Sequence, residues 1–226
     1  MARTQDIRGP GRPVADHGSN VKQALLVAAR QKIIDVGFAA ASTKDIAASA
    51  GVNPAMINYY FGSKAALGEA VMRDAVAPLI EHFERVATDI DIDSADVATA
   101  LPNFVRAYMG AMAVRPWIPQ LVVREVLPAN GRFRELFLAE VAKRGAAVLP
   151  RLLLQAKGDD RHDSPEELMF AAVSIVSLAI FPFLAAPVIE SVVAVKLDDP
   201  EVLERFVEHT VGIVTQGLSS WNLANQ

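Results

Sequence analysis

The chain has 226 residues, of which 52% are hydrophobic and 21% are charged, and this composition supports a sizeable core in one or two domains. It contains no cysteine, which excludes a disulfide framework and a thiolate site. The formal net charge of −4 is unevenly divided, because residues 1–64 hold eight Lys/Arg and four Asp/Glu, while the remainder holds fourteen against twenty-two. A basic N-terminal segment on an acidic body favours contact with nucleic acid at one end.

The first segment, residues 1–19, is polar and rich in glycine, proline and arginine. That composition predicts a disordered arm, and the segment lacks the apolar core of a signal peptide, so we expect a cytoplasmic protein. Arg8 and Arg12 suit a DNA minor groove, as in the arms of helix-turn-helix proteins. A solvated tail without contacts explains them at least equally well.

Apolar residues at helical spacing then predict a first helix over residues 21–36, which Gly37 ends. A second, shorter helix is predicted to begin at Ser42, because a serine N-cap followed three residues later by Asp45 can form a capping box. Gly51 is predicted to end this helix, since glycine tolerates the left-handed backbone conformation found there.

A third helix is predicted over residues 54–61. Asn53 suits its N-cap, and Pro54 stands in the first turn, where a helix tolerates proline best. Gly62 ends it, and Ser63 can cap the helix that follows. Two short helices joined by a tight turn form a helix-turn-helix, whose second helix is expected to enter the major groove of DNA.

This stretch resembles the DNA-binding domain of the TetR family of transcriptional regulators. The resemblance covers about residues 20–70 and is carried by Ala28-Ala29, Gly37-Phe38, Thr43, Ile46-Ala47, Ala50-Gly51-Val52, Tyr60-Phe61 and Gly62-Ser63-Lys64. Asn58 departs from the family, which often has a tyrosine there, so we expect a different phosphate or base contact at this position. The alternative for the whole stretch is a helical hairpin with no role on DNA.

Five residues of the motif suit contacts to phosphate. Lys64 and Lys44 lie near helix starts, where main-chain amides add to their charge, and Thr43 can hydrogen-bond a phosphate oxygen. Tyr59 and Tyr60 can donate to phosphates, although a core position is as consistent with Tyr60.

Other residues suit contacts to bases. Asn58 can pair with adenine through two hydrogen bonds, and Met56 or Ala55 can contact a thymine methyl group. The complete set of expected DNA-binding residues is Thr43, Lys44, Asn53, Pro54, Ala55, Met56, Asn58, Tyr59, Tyr60 and Lys64.

The body of the chain is predicted to be helical throughout. A long helix begins at Ser63, and Pro78 is expected to kink or split it. The acidic residues 88–96 are expected to form a solvated loop. A helix carrying Phe104 and Tyr108 follows, and residues 132–156 predict a further helix after the turn at residues 128–131.

Residues 168–189 carry no charge, and by length they could cross a bilayer. We do not expect a membrane span, because Pro182 and Pro187 interrupt the run and glutamates flank it without the Lys/Arg asymmetry of membrane helices. A helix that is apolar all round also fits burial on two sides, by its own core and by a partner subunit. Together with a last helix over residues 200–218, this run is predicted to form a dimer interface.

An enzyme interpretation finds no support in the motifs. The four histidines form no H-x-x-x-H pair, and we expect His82 and His209 to be ordinary surface residues. Asp89, Asp91 and Asp93 lack the glycine and the closing glutamate of a calcium loop. We therefore expect no catalytic residue, metal or cofactor, and keep as alternatives a helical enzyme with unrecognised groups and a membrane-associated protein.

The chain as a whole is predicted to be all-α. Residues 1–19 form the arm, residues 20–66 a three-helix DNA-binding domain, and residues 67–226 a ligand-binding and dimerisation domain. The resemblance implies a homodimer that binds a palindromic operator, more often as a repressor than as an activator, and a small-molecule effector bound in the helical body. Aromatic area with a few polar tips makes Phe104, Tyr108, Met112, Trp117 and Gln120 the candidate lining, although ordinary core packing explains each one singly.

Overall fold

The computed structural model describes residues 15–89, 97–157, 164–194 and 196–224. Within those ranges the chain forms eleven α-helices and one π-helical turn, and no strand, which confirms the all-α prediction. The chain divides into two compact units, Met1–Val71 and Met72–Gln226. Most of the expected arm, with Arg8 and Arg12, and most of the acidic loop at 88–96 lie outside the described residues.

Three helices and the start of a fourth make up the first unit: α1 (Ala15–Val36), α2 (Thr43–Ser49), α3 (Ala55–Phe61) and α4 (Lys64–Asp89). Each of the first three helices contributes apolar side chains with almost no exposed surface: Leu25, Ala29, Ile33, Ile46, Ala47 and Ile57. Their burial fixes α2 and α3 against α1, because each short helix has too few residues to be stable alone.

The predicted helix ends in this unit are present, but of the capping box expected at Ser42 and Asp45 only the bond to the Ser42 hydroxyl forms. The amide of Asp45 donates to the Ser42 hydroxyl at 3.0 Å, and that hydroxyl donates to the Asp45 carboxylate at 2.6 Å. Gly51 has φ +68°, and the Val52 amide donates to the Ala47 carbonyl at 3.0 Å. This is a Schellman ending, in which glycine removes the steric cost of the left-handed residue.

The second unit holds the rest of the chain. After the remainder of α4 come α5 (Val97–Val114), α6 (Trp117–Glu125), α7 (Arg134–Phe137), the π turn (Leu138–Ala142), α8 (Lys143–Lys157), α9 (Pro165–Leu184), α10 (Ala186–Val193) and α11 (Pro200–Ala224). Helices α5, α8 and α9 pack against one another, and α11 packs against all three.

Of the kink or split expected at Pro78, the split does not occur, because α4 continues through this residue. Proline removes one helical hydrogen bond and crowds the preceding turn. Val76 and Leu79, on either side of Pro78, are buried in the core, and this packing outweighs the local preference.

The turn predicted at residues 128–131 is confirmed. The Gly131 amide donates to the Pro128 carbonyl at 2.8 Å, and the Phe133 amide donates to the Glu125 main-chain carbonyl at 3.0 Å. A Cβ atom on Gly131 would lie 2.7 Å from the Glu125 carbonyl oxygen, so this close approach requires glycine. The following helix runs to Lys157, but with a π turn inside it that was not predicted.

Helix α9 contains most of the uncharged run. Ser164 and Glu167 form a full capping box, with hydrogen bonds of 3.2 and 2.8 Å. Among the helices in the described ranges, α9 alone is long and apolar enough to cross a membrane, and a third of its apolar window is buried inside the protein. A core helix of a soluble protein meets the same criterion, so length and composition are weak grounds for a membrane span.

Candidate nucleic-acid interface and ligand cavities

Helix α3 presents a polar face to solvent. Ala55, Asn58 and Tyr59 are exposed and lie three and four residues apart, so they share one side of the helix. Ile57, on the opposite side, has no exposed surface. The Asn53 side chain accepts a hydrogen bond from the Ala55 amide at 2.9 Å, which fixes the first turn of α3.

The two tyrosines at the end of α3 are placed differently. Tyr59 is 77% exposed, whereas Tyr60 is half-buried. Their rings meet edge to face, with centroids 4.9 Å apart. This contact holds the Tyr59 ring against α3, so its hydroxyl is available to solvent at the side of the exposed face.

The remaining predicted DNA-binding residues lie at the start of α2, in α3 or directly before it, and at the start of α4. Lys44, Asn53 and Pro54 are exposed, and Thr43 and Met56 are half-buried. Lys64 is half-buried as well, because its ammonium group lies 4.6 Å from the Phe38 ring centroid and donates to the Ala39 carbonyl at 3.2 Å.

A further basic residue near this surface was missed in the sequence. Lys22 of α1 is exposed, and its ammonium group lies 5.8 Å from the centroid of the Phe61 ring at the end of α3. Helical spacing alone did not reveal the role of Lys22, because Lys22 and Phe61 lie in different helices and are almost forty positions apart in the chain.

Described residues of the second unit line cavities in several places. An apolar cavity of 290 Å³, here called the central cavity, is bounded by α4, α5, the segment from α7 to α8, and α9. Its lining residues are Leu79, Phe83, Tyr108, Phe137, Val141, Ala142, Gly145, Ala146, Leu149, Met169, Ala172, Val173, Val176 and Ser177.

Two other cavities flank the central one. A cavity of 300 Å³ lies where the end of α5 meets the junction of α9 and α10, with Gln120 and Glu190 in its wall. An open groove of 480 Å³ runs between α9 and α11, lined by Phe170 and Leu178 on one side and Ile213 on the other.

The structure does not gather the five predicted ligand-binding residues in one place. Tyr108 lines the central cavity, and Gln120 lines the cavity beside α10. Phe104 stacks on Tyr108 at 6.0 Å between ring centroids and, like Met112, is buried in the core. Trp117 is half-buried at the start of α6. The small residues Ala142 and Gly145, which leave room in the central cavity, gave no signal in the sequence.

The expectation that His82 lies on the surface is wrong. Only 6% of it is exposed, its ring lies 5.0 Å from that of Phe104 between centroids, and its Nε2 atom has no hydrogen-bond partner. Burial lowers its pKa below the ordinary value of 6.5; the Phe104 backbone opposes that shift, and the Arg85 charge adds to it. His209 is exposed, as expected.

The described residues contain no group of three His, Cys, Asp or Glu side chains that could hold a metal ion.

Fold and site together define a helix-turn-helix protein with a separate helical unit. Residues 25–71 match the model described as bacterial regulatory proteins of the tetR family, and residues 98–218 match the C-terminal domain of the HTH-type transcriptional dual regulator CecR. The second match alone covers more than half of the chain.

The chain belongs to the TetR family of transcriptional regulators, which are regulators and not enzymes. The HTH-type transcriptional regulator BetI of Stenotrophomonas maltophilia is 31% identical over 99 residues, which are 43% of this chain and 50% of that protein. BetI 2 of Chromohalobacter salexigens is 33% identical over 100 residues, 43% of this chain and 48% of that protein. The matched region therefore spans about half the length of these curated relatives.

Solved structures extend the likeness of fold over nearly the whole chain. The fatty acid degradation regulator FadR from Bacillus halodurans has a TM-score of 0.64 and 19% identity, covering 94% of this chain and 98% of that one. At this identity the likeness concerns the fold alone.

Proposed function

We propose that the chain is a cytoplasmic transcriptional repressor that binds a palindromic operator as a homodimer and leaves it when a small molecule binds the second unit. The observation that carries the proposal is the exposed polar face of α3, held in a helix-turn-helix by the buried Ile57 and by the Ser42 and Gly51 helix signals. In this proposal the arm is residues 1–19, of which residues 15–19 form the start of α1 and are not disordered as predicted. The DNA-binding domain is residues 20–66, and the effector and dimer domain is residues 67–226.

The proposed DNA contacts follow from exposure and chemistry. Asn58 is assigned to base edges, with Ala55 and Met56 beside it against thymine methyl groups. Lys44, Lys64, Thr43 and the tyrosine hydroxyls are assigned to phosphates, which position the motif without reading the sequence.

The proposed dimer interface is the open groove between α9 and α11 with the apolar residues beside it. Phe170 and Phe181 of α9 are each 61% exposed, and Ile213 of α11 is 44% exposed. Large apolar side chains grouped on one face mark an interaction surface. A second copy of the chain is the proposed occupant, because a two-fold contact through α9 and α11 gives a dimer with two copies of α3, one for each half-site of a palindrome.

The interface is tested by placing a charge in it. Leu178→Glu changes a residue that is 41% exposed and lines the groove, whereas Ala179 is only 1% exposed, so a glutamate there would disrupt the core instead. We expect monomers for Leu178→Glu in analytical ultracentrifugation. Leu127→Glu, at an exposed apolar residue just after the end of α6, is the matched control and should leave the dimer intact. A stable Leu178→Glu dimer that still binds DNA would contradict this assignment.

The function itself is tested by selecting bound sequences from a random DNA pool. We expect enrichment of a palindrome, and the Asn58→Ala and Lys44→Ala variants should reduce retention. A transcription assay on a promoter carrying the selected site then distinguishes repression from activation, and a compound screen identifies molecules that release the DNA. A pool without enrichment, from protein of native circular dichroism, would contradict the proposal.

A further inference from the structure

The structure assigns a ligand class to the central cavity: we infer that it binds a neutral, largely apolar molecule of up to about twelve non-hydrogen atoms with one oxygen acceptor, which receives a hydrogen bond from Tyr108. The inference rests on the proposed function only in calling that molecule the effector. The binding site itself is defined by the volume and the lining residues of the cavity.

The size of the ligand follows from the volume of the cavity. An apolar protein cavity of roughly 150 Å³ accepts a molecule as large as benzene. The central cavity measures 290 Å³, about twice as much, and therefore suits about twelve non-hydrogen atoms. Its walls include Ala142, Gly145 and Ala172, whose small side chains leave the space that larger residues would fill.

The neutrality of the ligand follows from the lining. Fourteen residues line the cavity, and none carries a charged side chain. Ala146, Met169, Val173 and Ser177 are exposed and form the open side of the cavity, whereas residues such as Leu79, Tyr108 and Leu149 are buried. A carboxylate or an ammonium group held among the buried residues would lose its hydration without gaining an opposite charge, and such burial is costly. Charged groups do lie close by on the chain, but the Glu140 carboxylate of the π turn is paired with Arg73 at 3.0 Å and does not line the cavity.

Two hydroxyl groups are the polar side-chain atoms of this lining. The Ser177 hydroxyl donates to the Val173 carbonyl at 2.7 Å, so its proton is already used. Tyr108 is only 5% exposed, and burial raises its pKa to about 12, so the phenol keeps its proton and can donate it. A ligand oxygen that accepts this hydrogen bond satisfies the Tyr108 donor when the ligand displaces water from the cavity, whereas a purely apolar ligand would leave that donor unpaired.

The stacked rings behind Tyr108 hold it in place. Phe104 lies 6.0 Å from Tyr108 and 5.8 Å from Phe83 between ring centroids, and both pairs are nearly parallel. Phe83 is itself confined, since a Cβ atom on Gly145 would be 3.3 Å from its ring. The hydrogen-bond donor is therefore carried by a packed aromatic row and is ready before the ligand arrives.

The test compares three probes of one chain length by isothermal titration calorimetry on the full chain without DNA: 2-octanone, octanoate and octylamine, at pH 7.5. We expect 2-octanone to bind and both charged probes to bind at least tenfold more weakly. Tyr108→Phe, which keeps the ring, should lower the affinity for 2-octanone about fivefold because one hydrogen bond is lost. Its circular dichroism should match that of the wild type.

A filling variant tests the location. Ala146→Leu adds volume to a lining residue at the open side of the cavity, whereas Ala147→Leu, at the next and equally exposed residue of α8, adds the same volume outside the lining. We expect Ala146→Leu to lower the affinity for 2-octanone at least fivefold and Ala147→Leu to leave that affinity unchanged.

Binding of octanoate or octylamine within threefold of 2-octanone would overturn the inference, as would an unchanged affinity in Tyr108→Phe or in Ala146→Leu. Absence of 2-octanone binding at 1 mM would overturn it too. If the same protein preparation still enriches a palindrome from random DNA, the proposed regulatory function stands while the ligand class falls, so the two failures are distinguishable.

Discussion

The Lys64 ammonium group lies 4.6 Å from the centroid of the Phe38 ring and donates a hydrogen bond to the Ala39 carbonyl at 3.2 Å. Lys64 therefore joins the start of α4 to the segment between α1 and α2. An ammonium group has three N–H donors, so two remain for a phosphate oxygen. The residue thus combines a structural contact with the expected contact to DNA.

Lys64→Ala should affect both roles. Because one fewer counterion is released, the slope of log affinity against log salt should become shallower by about 0.9, and binding to all sequences should weaken alike. The lost cation–π contact should also lower the free energy of unfolding by about 0.5–1 kcal/mol. DNA titrations at several salt concentrations and urea unfolding measure the two effects. Lys143→Ala, an exposed lysine of the second unit, is the control; an unchanged salt slope in Lys64→Ala would remove Lys64 from the phosphate contacts.

Local signals in the sequence predicted the DNA-binding motif because its determinants lie close together in the chain. Ser42 and Asp45 are three residues apart, and Gly51 needs only its own backbone conformation to end α2. The central cavity depends on long-range packing instead. It brings Tyr108, Gly145 and Met169 together from three helices, and their separations in the chain carry no pattern. The burial of His82 had the same cause and was missed for the same reason.

Gly131→Ala should destabilise the second unit by about 1–3 kcal/mol, the usual cost of overpacking. The added Cβ atom would meet the Glu125 carbonyl oxygen at 2.7 Å and the Pro128 carbonyl oxygen at 3.0 Å, and backbone atoms cannot rotate away as side chains do. Gly110→Ala is the matched control, because its Cβ atom meets nothing within 4 Å inside α5. That control should be neutral or stabilising by about 0.5–1 kcal/mol. Urea unfolding of both variants gives the comparison, and equal stabilities would contradict the steric argument.

His82 predicts a loss of stability in mild acid. Its pKa is lowered in the folded chain, chiefly by burial, with the Arg85 charge adding to the shift and the Phe104 backbone opposing it. The unfolded chain therefore binds a proton at a higher pH than the folded chain does. The stability that His82 contributes is complete above its unfolded pKa of 6.5 and declines as pH falls below that value towards the folded pKa.

Unfolding free energies from pH 8 to pH 5 measure this effect. His82→Leu should reduce the decline, whereas His209→Leu, at an exposed histidine, should leave it unchanged. A decline of the same size in His82→Leu would assign the acid sensitivity to other groups.

Asn58 is the last position to be tested, because it decides how α3 reads DNA. Its side chain is exposed beside Ala55 and Tyr59. Its main-chain carbonyl accepts a hydrogen bond from the Gly62 amide at 2.9 Å at the end of the helix, and this bond does not involve the side-chain amide. The amide group is therefore available to a base edge without any change in the fold. If it pairs with adenine, Asn58→Ala should cost about 1–3 kcal/mol on the best operator and relax the preference at one base pair in each half-site.

The rival assignment makes Asn58 a phosphate contact in place of the tyrosine that is frequent in the family. Because the amide is uncharged, the salt slope should remain nearly constant in both cases, so base preference decides between them. Selection of bound sites with Asn58→Ala and Lys64→Ala, each at two salt concentrations, measures that preference directly. We expect only Asn58→Ala to lose a preferred base. If Asn58→Ala instead weakens binding to all sites equally while Lys64→Ala shifts the preferred base, the two roles are reversed. Lys64, at the start of α4, would then contact a base, and Asn58 would contact a phosphate.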